Sequence, residues 1–197
     1  MNKMLGILKM VVMLPVLLLM GVFSKEALAD ALQHHTKARL LKYKEDIGPY
    51  IRAGREIDFH KKFKPYEVIE MEGNLFLTAG INKIWNIVIG GVSGTLHVYD
   101  NADAEICVGD GTAAAASAQT GLQGTNKATA GMEATYPSTA AGKITLKSSF
   151  GDGTAEFDWE EWVVSQTNSN VAINRKVESL GTKASGTWTL EVDLSLA

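Results

Sequence analysis

The sequence predicts a mainly β fold: an antiparallel β-sandwich or jelly-roll-like domain with one packed amphipathic helix, preceded by an N-terminal helical or extended arm. Apolar and polar residues alternate strictly near the C-terminus, further strand-like segments are separated by Gly-rich turns, and one segment has helical spacing. With 197 residues, of which 46% are hydrophobic and 21% charged, the chain can build one such domain and an appendage.

The first segment, residues 1–29, has the order of a secretory signal. Lys3 and Lys9 form a basic start, Met10 to Phe23 carries no charge, and "ALA" at 27–29 has the spacing that signal peptidase reads. The same segment is near the lower length limit for a membrane span. A cleaved signal, a membrane anchor and a helix buried in an assembly all remain open, so secretion or membrane anchoring is an alternative localisation.

Residues 30–72 are predicted to be a polar arm. The spacing of Leu32, Leu40 and Leu41 predicts a helix that ends near residues 48–49, "GP". Farther along, Glu56 and His60 lie four residues apart and can share one helical face. Two candidate ligands are too few to predict a metal site.

Within the arm, "HKKFKPY" mixes basic and aromatic side chains. Such a mixture is typical of a surface that contacts an anionic partner, although a solvated segment has the same composition. We therefore treat four of its residues as candidate partner contacts: Lys61, Lys62, Phe63 and Tyr66.

The third region, residues 73–197, is predicted to be the β-sandwich domain and to include a helix over 77–89. One apolar helical face would carry Leu77, Ile81, Ile84, Trp85 and Val88, and the "GG" that follows is a natural stop. Strands are predicted in "TLHVY", "AEICVG", "KITLKSSF", "TAEFDWEEWVV", "NVAINRKVES" and the C-terminal segment, where Trp188, Leu190, Val192, Leu194 and Leu196 share a face.

Trp162 falls out of phase with Trp159 in the alternation of its strand. Either a bulge lies near Glu160 and Glu161, or Trp162 is exposed. An exposed Trp162 would be a further candidate partner contact.

Charge and cysteine content exclude several classes of function. Residues 1–72 carry 12 basic and 9 acidic side chains, whereas residues 73–197 carry 7 and 13, so the predicted domain is acidic and no nucleic acid partner is expected. Cys107 is the single cysteine, which excludes an intrachain disulfide and a cysteine zinc cluster, and its apolar neighbours predict burial.

No catalytic motif is present, so the sequence predicts a non-enzymatic protein without a cofactor. "GDGT" occurs twice, at 109–112 and 151–154. Together with Asp100 and Asp103, these motifs are compatible with a calcium-binding site, but they are also typical of ordinary tight turns. Glu156, Asp158 and Glu160 share a strand face, as a glycosidase or sugar-binding surface would require, but a solvated acidic face has the same pattern.

From Glu72 to Ala197 the chain resembles a family of tailed-bacteriophage virion-associated structural proteins. The most specific stretches are "VGDGTAAAASAQTGLQG" and "NRKVESLGTKASGTWTL". The resemblance implies a structural component located in the virion: a capsid decoration or cement protein, a head–tail accessory protein, or a tail or fibre component. Its implied partners are other virion proteins, such as the major capsid protein, and further copies of itself in a homo-oligomer.

The alternative function is a secreted or anchored β-sandwich adhesin or carbohydrate-binding module. It rests on the signal-like residues 1–29 and on the strand rich in Asp and Trp. Under either function, the low-complexity stretch Cys107 to Met132 is predicted to lie inside one domain. Cys107 and Val108 end a strand, Ala113 to Leu122 forms a short helix or packed loop, and Lys127 leads towards the next strand.

Overall fold

The structure, a computed structural model, describes residues 35–88, 98–167 and 171–195. These residues form ten strands and three helices, which confirms the predicted mainly β fold. In chain order they are β1 (His35–Tyr43), α1 (Gly48–Arg52), α2 (Glu56–Lys62), β2 (Glu67–Glu72), β3 (Leu75–Phe76), α3 (Thr78–Val88), β4 (Ala104–Gly109), β5 (Lys127–Gly131), β6 (Ser138–Ala140), β7 (Lys143–Phe150), β8 (Asp158–Gln166), β9 (Asn174–Thr182) and β10 (Thr187–Ser195).

The strands form two five-stranded antiparallel sheets. Sheet A has the order β2-β1-β10-β7-β6, and sheet B has the order β3-β9-β8-β4-β5. Their inner faces share one hydrophobic core, in which the rings of Trp159 and Trp188 lie 4.9 Å apart, edge to face. The architecture is therefore a β-sandwich.

The C-terminal strand is built as its alternation predicts. Trp188, Leu190, Val192 and Leu194 are buried, while the side chains between them face the outside of sheet A. Leu196, the last member of the predicted face, lies outside the described residues.

The predicted helix within the polar arm is wrong, because residues 35–43 form β1. This strand lies inside sheet A, between β2 and β10. Ala38 and Leu40 are buried while Lys37 and Arg39 are exposed, an alternation of period two that the spacing of the leucines obscured. Residues 35–72 are therefore part of the sandwich, and the part of the predicted arm that precedes them lies outside the described residues.

The predicted helix over 77–89 is α3. Gly80 permits its close approach to sheet B, because a Cβ there would lie 2.7 Å from the carbonyl oxygen of Ala172. Ile84 packs against the core as predicted, whereas Ile81 is 37% exposed. The side chains of Trp85 and Val88, the "GG" stop and most of "TLHVY" lie outside what the structure describes.

A bulge in β8 explains why Trp162 departs from the alternation that includes Trp159. The register against β9 shifts between Trp159 and Glu161, and both tryptophans then face the core with no exposed surface. The bulge also turns Glu161 to the outer face of sheet B.

Within the described residues, no helix is both long and apolar enough to cross a membrane.

Candidate interaction surface

Two short helices cover part of the outer face of sheet A. We call residues 48–63, which contain α1 and α2, the helical cap. Phe59 of the cap is buried against Tyr43 of β1 and Ile47, with ring centroids of Phe59 and Tyr43 5.0 Å apart. Leu41 and Phe63 pack around this small core. The cap is therefore fixed to the sheet by an aromatic cluster of its own.

A buried polar cluster lies beside these aromatic rings, centred on Glu133. The Glu133 carboxylate accepts hydrogen bonds from His60 Nε2 at 2.9 Å and from the Ser149 hydroxyl, and Lys147 Nζ lies 3.6 Å away. The other imidazole nitrogen, Nδ1, lies 3.1 Å from the Tyr43 hydroxyl. Together these contacts join α2, the segment between β5 and β6, and two strands of sheet A.

The environment of Glu133 sets its charge. Burial by itself would raise the pKa of this carboxyl group, but the hydrogen bond from His60 and the charge of Lys147 outweigh burial and lower it. Glu133 is consequently a buried carboxylate with charged and polar partners. Burial also raises the pKa of Tyr43, to about 12, so its hydroxyl stays protonated.

The rest of the outer face of sheet A carries charges in cross-strand rows. In one row, Glu70 of β2, Arg39 of β1, Glu191 of β10 and Lys147 of β7 follow one another with alternating sign. Arg39 bonds to Glu191, and Lys147 Nζ lies 4.0 Å from Glu191. A second row contains Glu72, Lys37 and Asp193, with Lys143 also bonded to Asp193 at 2.6 Å.

The structure places four of the five predicted contact residues together, at the end of the helical cap. Lys61, Lys62 and Tyr66 are exposed, and Phe63 is half-buried in the aromatic cluster. Lys62 Nζ lies 4.9 Å above the ring of Phe63 and donates a hydrogen bond to the Tyr50 hydroxyl. Trp162 is not part of this surface: the bulge in β8 turns it into the core, so its prediction as a partner contact is wrong.

Large exposed apolar side chains are concentrated around the cap. Of the five such side chains among the described residues, Ile51, Ile57, Tyr66 and Val68 all fall within residues 51–68, and only Ile81 lies elsewhere. Val68 is paired with Leu41, which itself packs against the cap. A shallow concavity of about 510 Å³ lies between α1 and α2, lined by Pro49, Tyr50, Ala53, Arg55, Asp58 and Lys62.

The low-complexity stretch is an ordered loop across the outer face of sheet B, as predicted. Residues 110–126, which we call the covering loop, place Leu122 against a cluster that includes Cys107 and Val163. Backbone hydrogen bonds run from Thr78 to Ser117 and from Ala172 to Thr120. Cys107 is 7% exposed, and burial raises the pKa of its thiol to about 12, which agrees with the predicted structural role.

A buried ion pair holds the covering loop. Glu161 and Arg175 are both fully buried, with Arg175 Nε 2.6 Å from Glu161 Oε2. The amide groups of Gln123 and Gly124 donate to the Glu161 carboxylate, and Arg175 Nη1 donates to the Gln119 side chain. Sequence reasoning missed this arrangement. The broken alternation at Trp162 indicated a bulge near Glu161, but no local pattern indicates that Arg175 and the covering loop are the partners of Glu161.

The carboxylates that suggested a calcium site or a sugar-binding surface accept hydrogen bonds from other residues of the chain. Asp110 accepts from Asn126, and Asp152 accepts from the Gly186 amide. The second "GDGT" motif, 151–154, forms a turn, whereas the first, 109–112, leads from β4 into the covering loop. On the acidic strand, Asp158 bonds to Thr182 and Glu160 to Ser179. Across residues 35–88, 98–167 and 171–195, no three His, Cys, Asp or Glu side chains converge as a metal site would require.

Comparison with family models, curated proteins and solved structures finds no match to this chain.

Proposed function

We propose that this chain is a non-enzymatic structural component of a tailed-phage virion. Its role there is that of a capsid decoration or cement protein, or of a head–tail accessory protein, and it binds neighbouring virion subunits. The proposal starts from the sequence resemblance of residues 72–197.

The observation that supports a binding role best is the surface around the helical cap. Exposed apolar side chains are unfavourable in water unless a partner covers them, and Ile51, Ile57, Tyr66 and Val68 are concentrated in one short stretch. Lys61 and Lys62 lie beside them and would attract an acidic partner surface. The cap is rigidly mounted, since its aromatic cluster and the His60–Glu133 contact fix it to sheet A.

The two most specific stretches of the resemblance also meet in space. The first contains residues 110–124 of the covering loop, and the second contains Arg175, whose guanidinium bonds to Gln119 of that loop. The contact joins two stretches that are far apart in the sequence, since an arginine of the second binds a glutamine of the first. The stretches therefore specify a shared structural unit on sheet B.

A particle-binding experiment tests the role of the cap. Virions that lack this chain are incubated with the purified full-length protein, and the bound copies are quantified after sedimentation. Ile57→Asp places a charge in the proposed contact and should lower occupancy at subsaturating protein by about tenfold.

The matched control is Ile81→Asp, which makes the same chemical change at an exposed isoleucine that is also on a helix but lies outside the cap. This variant should bind as the wild type does. Equal loss of binding in the two variants, or no loss in Ile57→Asp, would contradict a contact through the cap.

A further inference from the structure

Strand β2 forms one edge of sheet A. Among the described strands only β1 pairs with it, which leaves its second side without a strand partner in that part of the chain. The Gly73 amide donates to the Thr36 carbonyl, so the backbone groups of Gly73 face β1. Because backbone groups alternate in direction along an antiparallel strand, those of Ile69 and Met71 face β1, whereas those of Val68, Glu70 and Glu72 face outward.

A lysine limits the length of this open edge. Lys176 Nζ donates to the Glu72 carbonyl at 2.9 Å, which agrees with the outward direction of that group and occupies it. At the other end, Pro65 precedes the strand and cannot donate a ladder hydrogen bond. Within the described residues, the outward-facing amide and carbonyl groups of Val68 and Glu70 make no hydrogen bond. They therefore form a short site at which an added strand can pair.

The side chains on this edge specify what the added strand must carry. Val68 and Glu70 both project on the outer face, opposite Leu41 and Arg39 of β1. Glu70 is the last member of a row whose charges alternate from Lys147 through Glu191 and Arg39. A strand beyond β2 continues the alternation if it places a basic residue opposite Glu70 and an apolar residue opposite Val68.

A groove on the same face provides room beside the edge. Its volume is about 430 Å³, and its lining includes Glu70 and Glu72 of β2 and Glu191 and Asp193 of β10. Lys37 and Arg39 are the only basic residues of that lining, so acidic side chains outnumber basic ones by four to two. At the β2 edge the groove presents the carboxylates of Glu70 and Glu72, which would attract a long basic side chain from an added strand.

We propose that β2 accepts an extended strand from another protein, paired antiparallel, with the pattern basic residue, any residue, apolar residue. β1 presents this pattern to the inner side of β2 as Arg39, Leu40 and Leu41. Main-chain hydrogen bonds to Val68 and Glu70 supply the pairing, and the Glu70 carboxylate with the Val68 side chain selects the sequence. This inference rests on the geometry of sheet A and does not depend on the virion role.

A second copy of β2 does not fit as the occupant. Antiparallel pairing of two such edges centred on Glu70 would set Glu70 opposite itself, and the next register would oppose Val68 with Glu70. A register centred on Val68 would pair only residues 67–69 of the two strands. Like charges directly opposite each other destabilise a sheet. The glutamates thus disfavour the longer self-paired registers, while they favour a basic strand.

The experiment measures binding of a designed hairpin to the full-length protein. A disulfide-cyclised hairpin peptide presents the edge strand Thr-Arg-Thr-Val-Thr, and a second hairpin replaces Arg by Glu; binding is followed by fluorescence anisotropy of a label at the turn. The Arg hairpin should bind at least about tenfold more tightly than the Glu hairpin, and this preference should decrease as salt is raised.

A charge-reversal variant locates the site. Glu70→Lys should invert the preference between the two hairpins, whereas Glu45→Lys, an equal change at an exposed glutamate outside the rows, should leave it unchanged. Circular dichroism verifies that both variants are folded. Equal affinity of the two hairpins, an unchanged preference in Glu70→Lys, or no binding of the Arg hairpin at millimolar concentration would each overturn the proposal.

Discussion

Glu133 connects more parts of the outer face of sheet A than any other side chain of the polar cluster. Its carboxylate bonds to His60 of the helical cap and to Ser149 of β7, and its carbonyl accepts from the Asn101 side chain. A buried charge is stable only if it is paired and hydrogen-bonded, and here both conditions hold. The cap is therefore anchored by the His60–Glu133 hydrogen bond as well as by its aromatic rings.

The anchoring predicts how stability depends on pH. The pKa of Glu133 is lowered below 4.5 in the folded protein, so the carboxylate stabilises the fold above pH 4.5 and this contribution is lost as pH falls through the lowered value. Glu133→Gln should be less stable than the wild type by about 1–3 kcal/mol at pH 7. The difference should shrink below pH 4.5.

Urea unfolding of the wild type and Glu133→Gln between pH 7 and pH 3 makes this measurement. Glu45→Gln, at an exposed position, serves as the control and should track the wild type throughout. A difference between wild type and Glu133→Gln that stays constant over this range would refute the assigned role.

At the residue scale, the local sequence pattern predicted the environment of some side chains and not of others. The burial of Cys107 was predictable from its apolar neighbours, and the structure confirms it. The His60–Glu133 and Glu161–Arg175 pairs were not predictable, because partners 73 and 14 residues apart in the chain meet only through tertiary packing. A single sequence carries no local sign of such pairing.

At the scale of elements, the covering loop shows how a low-complexity sequence can be rigid. Glycine is required where the loop meets the buried pair: a Cβ on Gly111 would overlap Glu161, and one on Gly124 would overlap Asp110. Gly121, in the same loop, has open space around it. The small side chains thus permit close backbone approach rather than flexibility.

Limited proteolysis with elastase, which cleaves after small residues, should report this rigidity. The wild-type loop should resist cleavage, because its backbone is held by the Glu161 carboxylate and by contacts to residues 78 and 172. Gly111→Ala should displace the loop from Glu161 and raise the rate of cleavage within 112–126 by about tenfold or more.

Gly121→Ala is the matched control for this loop and should be cleaved at the wild-type rate. Rapid cleavage of the wild-type loop under native conditions would show that it is not fixed in the folded protein.

The element that sequence reasoning misassigned is β1. Leucines at 32, 40 and 41 fit a helical spacing, but helix and strand periods are hard to separate in a short segment with few apolar residues. Its pairing with β10, more than 140 residues away, decides the outcome. Long strands with strict alternation, such as β7 and β10, were predictable because one period dominates them.

For the whole molecule, composition and alternation were enough to predict a β-sandwich. They did not predict that β1 and β2 complete sheet A, nor the order of strands in either sheet, because strand order depends on non-local pairing. The two surfaces proposed for binding, the helical cap and the β2 edge, both belong to the region that had been expected to be an arm.

In the proposed role, the sandwich contacts neighbouring subunits of a symmetric particle through the helical cap. Such binding is multivalent, so the protein should be retained at fixed copy number through purification.

Quantitative mass spectrometry of purified virions tests this role most directly. The chain should be present in gradient-purified particles at a constant ratio to the major capsid protein. Its absence from intact virions of the phage that encodes it, while it is found in the culture medium or in a membrane fraction, would contradict the account.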